Sequence, residues 1–339
     1  MKVCKFGGTS MANTETIQKV ADVCSLDKNR KFIVVSAPGK RTGADIKVTD
    51  SLYACFKAVQ EKGECKKEMD VIRKRFADIE EGLGIDIKSS QQIDEIEEKV
   101  LKCKTADYVA SRGEYLSAQV LAAYLDYEFV DTANLIKFNE DGELMLDYSA
   151  DLIRKRLHGV KYAVLPGFYG SDAEGDIKTF SRGGSDITGA IIAYAMGAEI
   201  YENWTDVDGF LTADPRVVAA PEKISYMSYK ELRELSYMGA EVLHPESVFP
   251  VRLAGIPINI RNTFNPDYPG TMIVPSVMLP REKKVITGIA GKKGFTIINV
   301  EKDLMNSEIG FGRKVLSVLE WTDTLTIEFS STSISCSEW

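Results

Sequence analysis

Short apolar runs alternate along the chain with stretches whose apolar residues recur at helical spacing. Lys2–Phe6 and Phe32–Val35 are two such runs, and each is followed by a turn that contains glycine. The second run is continuously apolar, which is typical of a strand covered on both faces of a parallel sheet. Similar runs predict four further strands, at residues 128–130, 162–165, 199–204 and 256–260.

The stretches between these runs carry their apolar residues on one helical face. Ile17, Val20 and Cys24 follow the first run at spacings i, i+3 and i+7, which predicts a helix. Residues 61–105 are charge-rich and helical in pattern, and they indicate a helical excursion from the sheet. Because strands and helices alternate, the chain is predicted to be an α/β protein with an open, mostly parallel sheet. Further helices are predicted at residues 52–59, 111–127, 187–196, 229–238 and 245–254.

The last part of the chain has a different pattern. Four prolines between residues 266 and 280 predict a linker. After it, the pattern predicts strands at 285–290 and 294–300, a helix that starts at 310–313 and includes Leu316, and a third strand at 324–329. We therefore expect an α/β domain at 1–265, a linker at 266–282 and a small α+β region at 283–339. This region is small for independent stability.

Composition narrows the class of protein. The 339 residues include 42 Lys and Arg and 50 Asp and Glu, a net charge of −8, and no clustered basic surface is evident, so we expect no nucleic-acid partner. The longest apolar stretch, Gly189–Ala198, is too short to span a bilayer, and we expect no membrane association and no secretory signal. Six cysteines without a C-x-x-C pair and only two histidines argue against a metal site and are consistent with a reducing cytoplasm.

Two glycine-rich turns are candidates for binding phosphate. Lys5–Ser10 follows the first strand, and its glycines allow a phosphate to approach backbone amides at a helix start. The spacing is neither that of a Walker A loop nor G-x-G-x-x-G, and an ordinary strand-to-helix turn remains an equal interpretation. Arg182–Asp186 repeats this chemistry and adds a guanidinium able to grip a carboxylate, although Asp186 alone is equally well explained as a helix cap.

Two acidic segments are weaker candidates. Thr205–Gly209, continuing to Ala213–Arg216, is a turn-rich loop at the carboxyl end of a predicted strand, where α/β sheets bind ligands. It lacks the glutamate that a calcium loop requires. Ser111–Glu114 is placed at a helix start, where Glu114 would suit an ammonium ligand but is more simply a partner of the helix dipole.

Taken together, and in this order, these motifs and Gly239–Pro245 resemble the aspartate kinase family over about residues 1–320. The resemblance implies the amino-acid kinase fold, an open sheet with helices on both faces, followed by a regulatory region of ACT domains. It also implies that ATP, with Mg²⁺, phosphorylates the β-carboxylate of L-aspartate, the first step towards lysine, threonine and methionine. A carboxylate already ionised near neutral pH needs no general base, which agrees with the lack of a Ser-His-Asp set.

The resemblance assigns roles residue by residue. Lys5 and Asp186 are the implied catalytic residues. The lysine would neutralise the transferred phosphoryl group, and the aspartate would orient the lysine. For substrate binding it implies Glu114 on the ammonium, Arg182 on a carboxylate, and Thr49 and Ser185 beside them. For ATP binding it implies Lys5, Gly7, Gly8, Ser10, Thr205, Asp206, Leu211 and Arg216.

Some positions depart from the family pattern. Glu241 stands where many relatives have a nucleotide-binding lysine, which Lys223 would have to replace, and Leu211 stands where some have tyrosine. Only 59 residues follow Pro280, whereas two ACT domains take ~150 in this resemblance.

The regulatory region carries further expectations. The implied effector site is Met305, Asn306, Ser307, Gly312 and Arg313, with lysine as the favoured effector and threonine as the alternative; ordinary packing of a β-α-β unit explains the same residues. ACT pairing implies a homodimer or a dimer of dimers. Two alternatives stay open: a kinase of another acidic amino acid, and a sensor of amino acids without catalysis.

Overall fold

An open eight-stranded sheet forms the centre of the fold in a computed structural model that describes residues 1–181, 183–240, 242–280, 286–291, 293 and 309–320. The strands are β1 (Lys2–Phe6), β2 (Arg30–Val35), β3 (Glu128–Phe129), β4 (Ala163–Pro166), β7 (Ile200–Thr205), β8 (Tyr226–Ser228), β9 (Ile258–Asn262) and β10 (Thr271–Val274), and a separate hairpin joins β5 (Tyr169–Ser171) to β6 (Ile177–Thr179).

The order of strands in the sheet is β3-β4-β2-β1-β7-β9-β10-β8. Only the β9–β10 pair is antiparallel, so β10 and β8 run against the other six strands. The predicted open, mostly parallel sheet is confirmed.

Helices cover both faces of this sheet. They are α1 (Thr14–Ser25), α2 (Val48–Lys62), α3 (Lys66–Leu83), α4 (Ser89–Val100), α5 (Ala106–Leu125), α6 (Leu146–Leu157), α7 (Gly184–Met196), α8 (Tyr229–Tyr237), α9 (Phe249–Leu253) and α10 (Phe311–Glu320). Along β1, Val3 belongs to an apolar cluster with α6 and α7, while Cys4 and Phe6 belong to a second cluster with α1 to α5. The alternation follows from the two-residue period of a strand.

Some elements differ from the prediction. The predicted helix at 245–254 is a short 3-10 turn followed by α9. Strand β10 lies inside the proline-rich segment predicted as a linker, and Pro269 and Pro275 flank it instead of interrupting it. The hairpin of β5 and β6 was not predicted, because its strands are only three residues long.

Two units divide the chain, Met1–Lys292 and Lys293–Trp339. The sheet belongs to the first unit. Within the described part of the second unit, α10 coincides with the predicted helix that carries Leu316. The predicted strands at 294–300 and 324–329 lie outside the described residues, and 286–290 are described without strand structure.

A buried ionic cluster ties the central strands together. Glu202 on β7 is 1% exposed and accepts hydrogen bonds from Arg30 Nε at 2.8 Å and Trp204 Nε1 at 2.9 Å. Lys2 Nζ lies 3.0 Å from its other oxygen. Burial acts to raise the pKa of Glu202, but the bond to Arg30 and the two positive charges outweigh it and lower this pKa. The carboxylate is therefore ionised inside the sheet.

Candidate active site

The carboxyl ends of the parallel strands β1, β2, β4 and β7 converge at one edge of the sheet. The turn after β1 packs directly on the turn after β2, where the Gly39 amide donates to the Gly8 carbonyl oxygen at 2.8 Å. A Cβ on Gly39 would lie 2.7 Å from the Gly8 carbonyl carbon, and one on Gly8 would lie 3.0 Å from the Ala37 oxygen. The close approach of the two backbones thus requires glycine at position 39 and leaves little room for a side chain at position 8.

A lysine and an aspartate face each other at this edge. Lys5 Nζ lies 2.7 Å from Asp186 Oδ1, in the first turn of α7, and Lys5 is only 8% exposed. The side-chain amide of Asn203 donates to the same oxygen at 2.8 Å, and the Tyr201 hydroxyl donates to the Asp186 main-chain oxygen at 2.9 Å. Sequence reasoning missed Asn203 and Tyr201. Asn203 is the register partner of Lys5 across β1 and β7, a relation that no local pattern reveals.

Glu114 is buried at the same edge without a full set of partners. It is 5% exposed, and its Oε2 has no hydrogen-bond partner. Burial raises the pKa of Glu114 to about 8, and hydrogen bonds from backbone amides, including that of Ala37, oppose the shift. The prediction that Glu114 lies at a helix start is wrong, because α5 begins at Ala106. Its role as a partner of the helix dipole is therefore excluded.

Two cavities meet around this glutamate. One of about 360 Å³ is lined by the turn after β1, the turn after β2, Lys40 and Lys47. One of about 210 Å³ is lined by Lys5 and by the start of α7. Both cavities are lined by Ser36, Thr49 and Glu114. The structure thus brings together five residues that the sequence had singled out separately: Lys5, Thr49, Glu114, Ser185 and Asp186.

Gly7 and Ser10, both in the turn after β1, are placed differently with respect to these cavities. A Cβ on Gly7 would lie 3.6 Å from Lys5 Nζ, so the Gly7 backbone is next to the lysine ammonium. Ser10 is fully buried, and its hydroxyl lies 2.8 Å from the Thr263 hydroxyl. The Ser10 side chain therefore secures the turn against the residue that follows β9 and is not presented to either cavity.

The loop after β7 lies next to the first glycine turn. The Thr9 hydroxyl donates to Asp206 Oδ2 at 3.0 Å, and the Thr205 hydroxyl donates to Oδ1 at 3.3 Å. Further along the loop, the backbones of Leu211 and Lys223 form an isolated antiparallel β-bridge. The Arg216 guanidinium donates to the Asp214 carboxylate at 2.8–3.0 Å.

Lys223, the candidate replacement for a lysine at position 241, has partners of its own. Its Nζ lies 2.6 Å from Asp208 Oδ2 and 3.8 Å from the centre of the Tyr268 ring. Asp208 also accepts from the amides of Asn262 and Asn265. The bond to Asp208 raises the pKa of Lys223, so its charge is fixed on this loop.

Several predicted positions lie outside the described residues: Arg182, Glu241, Met305, Asn306 and Ser307. Gly183, next to the first of these, adopts a left-handed conformation with φ 57° at the start of α7. Gly312 and Arg313 are described and are exposed in the first turn of α10.

Within the described part of the chain, no group of three or more His, Cys, Asp or Glu residues is placed to hold a metal ion. Nor does any of its helices combine the length and apolar character needed to cross a membrane.

Comparison with known proteins identifies the family. The model for the amino acid kinase family matches residues 1–262. Aspartokinase 3 of Bacillus subtilis is 38% identical over 335 residues, covering 94% of this chain and 73% of its own length. The crystal structure of Clostridium acetobutylicum aspartate kinase is 48% identical with a TM-score of 0.88, covering 97% of this chain and 75% of that one.

A third relative has been solved in two states. E. coli aspartokinase III in complex with aspartate and ADP, the R-state, is 29% identical with a TM-score of 0.72, covering 81% of this chain and 64% of that one. Its complex with lysine and aspartate, the T-state, is 26% identical with a TM-score of 0.76, covering 98% and 77%. The chain spans about 60% of the length of the chloroplastic aspartokinases of Arabidopsis thaliana that it matches. By the family model and by these relatives, this chain belongs to the amino acid kinase family and, within it, to the aspartokinases.

Proposed function

We propose that this aspartokinase transfers the γ-phosphoryl group of ATP to the β-carboxylate of L-aspartate. The Lys5–Asp186 pair and the unpartnered Glu114 carboxylate support this assignment most directly, because they border one cavity. A buried cation suits a phosphoryl group in transfer, and a buried acid without a partner suits an ammonium group. Together they accept an amino acid at one end and a phosphate at the other.

On the substrate side, Glu114 binds the α-ammonium of aspartate. Its Oε2 gains the hydrogen bond that it lacks in the free protein, which offsets the cost of ionising it in the interior. Arg182 binds a substrate carboxylate, and Thr49 and Ser185, which line the same cavity as Glu114, donate hydroxyl hydrogen bonds. An N-acetylated substrate has no ammonium for Glu114, which favours a free amino acid.

On the phosphate side, Lys5 stabilises the negative charge on the transferred group. A β-carboxylate oxygen attacks the γ-phosphorus, the bond to the bridging oxygen breaks, and ADP leaves with that electron pair, so an acyl phosphate forms. No proton is removed from the nucleophile, and positioning and electrostatics are the main contributions of the protein. Asp186, fixed by Asn203, keeps the Lys5 ammonium in place. Gly8 lets a phosphate approach the backbone of the turn, and Gly7 leaves the space next to Lys5 free of a side chain, while the Gly7 amide itself donates to the Trp204 main-chain oxygen at 3.0 Å.

The loop after β7 forms the nucleotide pocket. Thr205, Asp206, Leu211 and Arg216 line it, with Ser10 holding the neighbouring turn through Thr263. Mg²⁺ would be held chiefly by ATP oxygens and water, which fits a chain whose described residues offer single carboxylates such as Asp206 but no group of three or more metal-ligating side chains. When bound, it would neutralise phosphate charge.

The proposed regulation follows the relatives, and the proposed assembly follows the resemblance to ACT domains. An end-product amino acid controls the enzyme, and lysine is favoured over threonine because the T-state structure of E. coli aspartokinase III contains lysine. Gly312 and Arg313, at the exposed start of α10, belong to the effector site together with Met305–Ser307. The enzyme acts in the cytoplasm as a homodimer or a dimer of dimers. A monomer by light scattering, or no change of rate with either amino acid, would contradict these assignments.

The test is a hydroxamate assay with ATP and L-aspartate, since hydroxylamine traps an acyl phosphate. We expect signal from the wild-type chain and a loss of at least ~100-fold in Lys5→Ala. Lys57→Ala is the matched control, because Lys57 is 76% exposed on α2 and is expected to be dispensable. Binding of aspartate without any hydroxamate would indicate a non-catalytic sensor, and signal with glutamate in place of aspartate would indicate the other alternative, a kinase of another acidic amino acid.

A further inference from the structure

A three-residue segment beyond the sheet, Thr287–Ile289, is bound at both ends to other parts of the first unit. We call it the strap. The Ile289 amide donates to the main-chain oxygen of Thr212 at 2.8 Å. The Thr287 hydroxyl lies 2.5 Å from Glu231 Oε1 on α8. The strap therefore connects the loop after β7 to a helix.

The strap meets this loop at Thr212, within the segment that is assigned to the proposed nucleotide pocket. Thr212 directly follows Leu211 and precedes Arg216, two residues of that pocket. The Thr212 amide donates to the Glu222 main-chain oxygen at 2.8 Å, so one side of Thr212 is held by its own loop. Its carbonyl oxygen faces the other way and accepts from Ile289. The strap acts as a further backbone rung beside this loop.

The other end of the strap is bound to Glu231, in the capped first turn of α8. Glu231 Oε2 accepts from the Ser228 amide at 2.7 Å and from the Ser228 hydroxyl at 2.8 Å, which closes a capping box at the start of α8. Between the two attachments, a Cβ on Gly288 would lie 3.4 Å from Ile224, Leu235 and the Thr212 oxygen. The strap is thus packed closely against both elements.

We propose that the strap is a positioning element of the nucleotide pocket, which holds the Leu211–Arg216 segment in its binding conformation through the Ile289–Thr212 bond. Without the strap, binding of the nucleotide would have to order this loop. The apparent affinity of the protein for nucleotide would then be reduced in proportion to the fraction of molecules whose loop is already in the binding conformation. One backbone hydrogen bond of ordinary strength corresponds to a loss of about fivefold. The aspartate cavity does not include the strap, so aspartate binding is unaffected.

Two pairs of variants in the full chain test this role. Ile289→Pro removes the amide donor, whereas Ile289→Ala keeps it and alters only a side chain that is 68% exposed. Thr287→Val removes the hydroxyl that reaches Glu231, and Thr287→Ser keeps it. Calorimetry with ADP is expected to give a Kd raised ~5-fold in Ile289→Pro, and raised less in Thr287→Val, with both controls like wild type. The Kd of L-aspartate is expected to be unchanged in all four.

The role assigned to the strap rests on the proposed function, and the outcomes separate the two. If the wild-type chain forms hydroxamate and both Ile289→Pro and Thr287→Val bind ADP as tightly as it does, the strap has no positioning role. An equal loss of ADP and aspartate affinity would also overturn it, because it would indicate general destabilisation. If the wild-type chain neither binds ADP nor forms hydroxamate, the proposed function is wrong and the role of the strap falls with it.

Discussion

Aspartate binding is predicted to depend strongly on pH through one buried carboxyl group. Glu114 has a pKa of about 8 in the ligand-free protein because burial disfavours its ionised form. Only the ionised form attracts an ammonium group, so the apparent affinity follows the ionised fraction. That fraction falls by about 25-fold between roughly pH 8.5 and pH 6.5, and the Kd of L-aspartate is expected to rise by the same factor.

Calorimetry measures this effect in two independent ways. The first is the Kd of L-aspartate across this range of pH. The second is proton release: at about pH 7 most Glu114 carboxyls are protonated, so binding is expected to release ~0.9 proton per aspartate, seen as a dependence of the heat on the buffer. Glu114→Gln is the control, and we expect it to bind weakly, with little pH dependence and no proton release.

Stability gives a third consequence of the same group. The pKa of Glu114 is about 8 in the folded protein and 4.5 in the unfolded chain. Protonation of Glu114 therefore stabilises the folded state fully below pH 4.5, and this stabilisation is lost as the pH rises through about 8. Between about pH 6 and pH 8 this amounts to a loss of about 2 kcal/mol in the free energy of unfolding of the ligand-free protein. Glu114→Gln is expected to lack it. An aspartate Kd that is flat with pH, or a slope retained in Glu114→Gln, would refute the reasoning.

Three further variants probe the rest of the unit. Asn203→Ala removes a donor to Asp186 and is expected to lower kcat about 10-fold with little change in the KM of aspartate, whereas an equal change in both would mean that Asn203 binds substrate. Arg30→Met leaves the Glu202 carboxylate buried without its main partner and is expected to cost about 3–5 kcal/mol in urea unfolding, and a cost below ~1 kcal/mol would show that water replaces the guanidinium. Gly39→Ala places a Cβ 2.7 Å from the backbone of the first glycine turn and is expected to raise the KM of aspartate several-fold, while unchanged kinetics would mean that the two turns separate freely.

Local patterns were sufficient to predict the parts of the fold in which neighbours in sequence determine the structure. Lys2–Phe6 coincides with β1 and Phe32–Val35 forms most of β2, because a strand covered on both faces needs an apolar run. The short hairpin of β5 and β6 has no such run. Strand β10 was hidden by prolines that lie just outside it.

The same division applies to the candidate site. Lys5 and Asp186 were singled out from their own glycine turns, and the structure adds the 2.7 Å contact between them. Asn203 carries no local signal, because its position beside Lys5 depends on the pairing of strands almost 200 residues apart. The orientation of the Ser10 hydroxyl was equally hidden, since its partner, Thr263, follows the strand β9.

The pairing of β1 with β7 has a consequence for how the chain folds during synthesis. Lys2 pairs with Arg30 on one side and with Ile200 on the other, so one edge of the first strand can be covered early and the other only after the ribosome has made most of the first unit. At ordinary translation rates this interval is roughly 10–40 s. During that time the backbone groups of an apolar strand are exposed to other nascent chains, which is a hazard for aggregation. We therefore expect β1, the strand that carries Lys5, to be the segment most dependent on chaperone protection while the protein is being made.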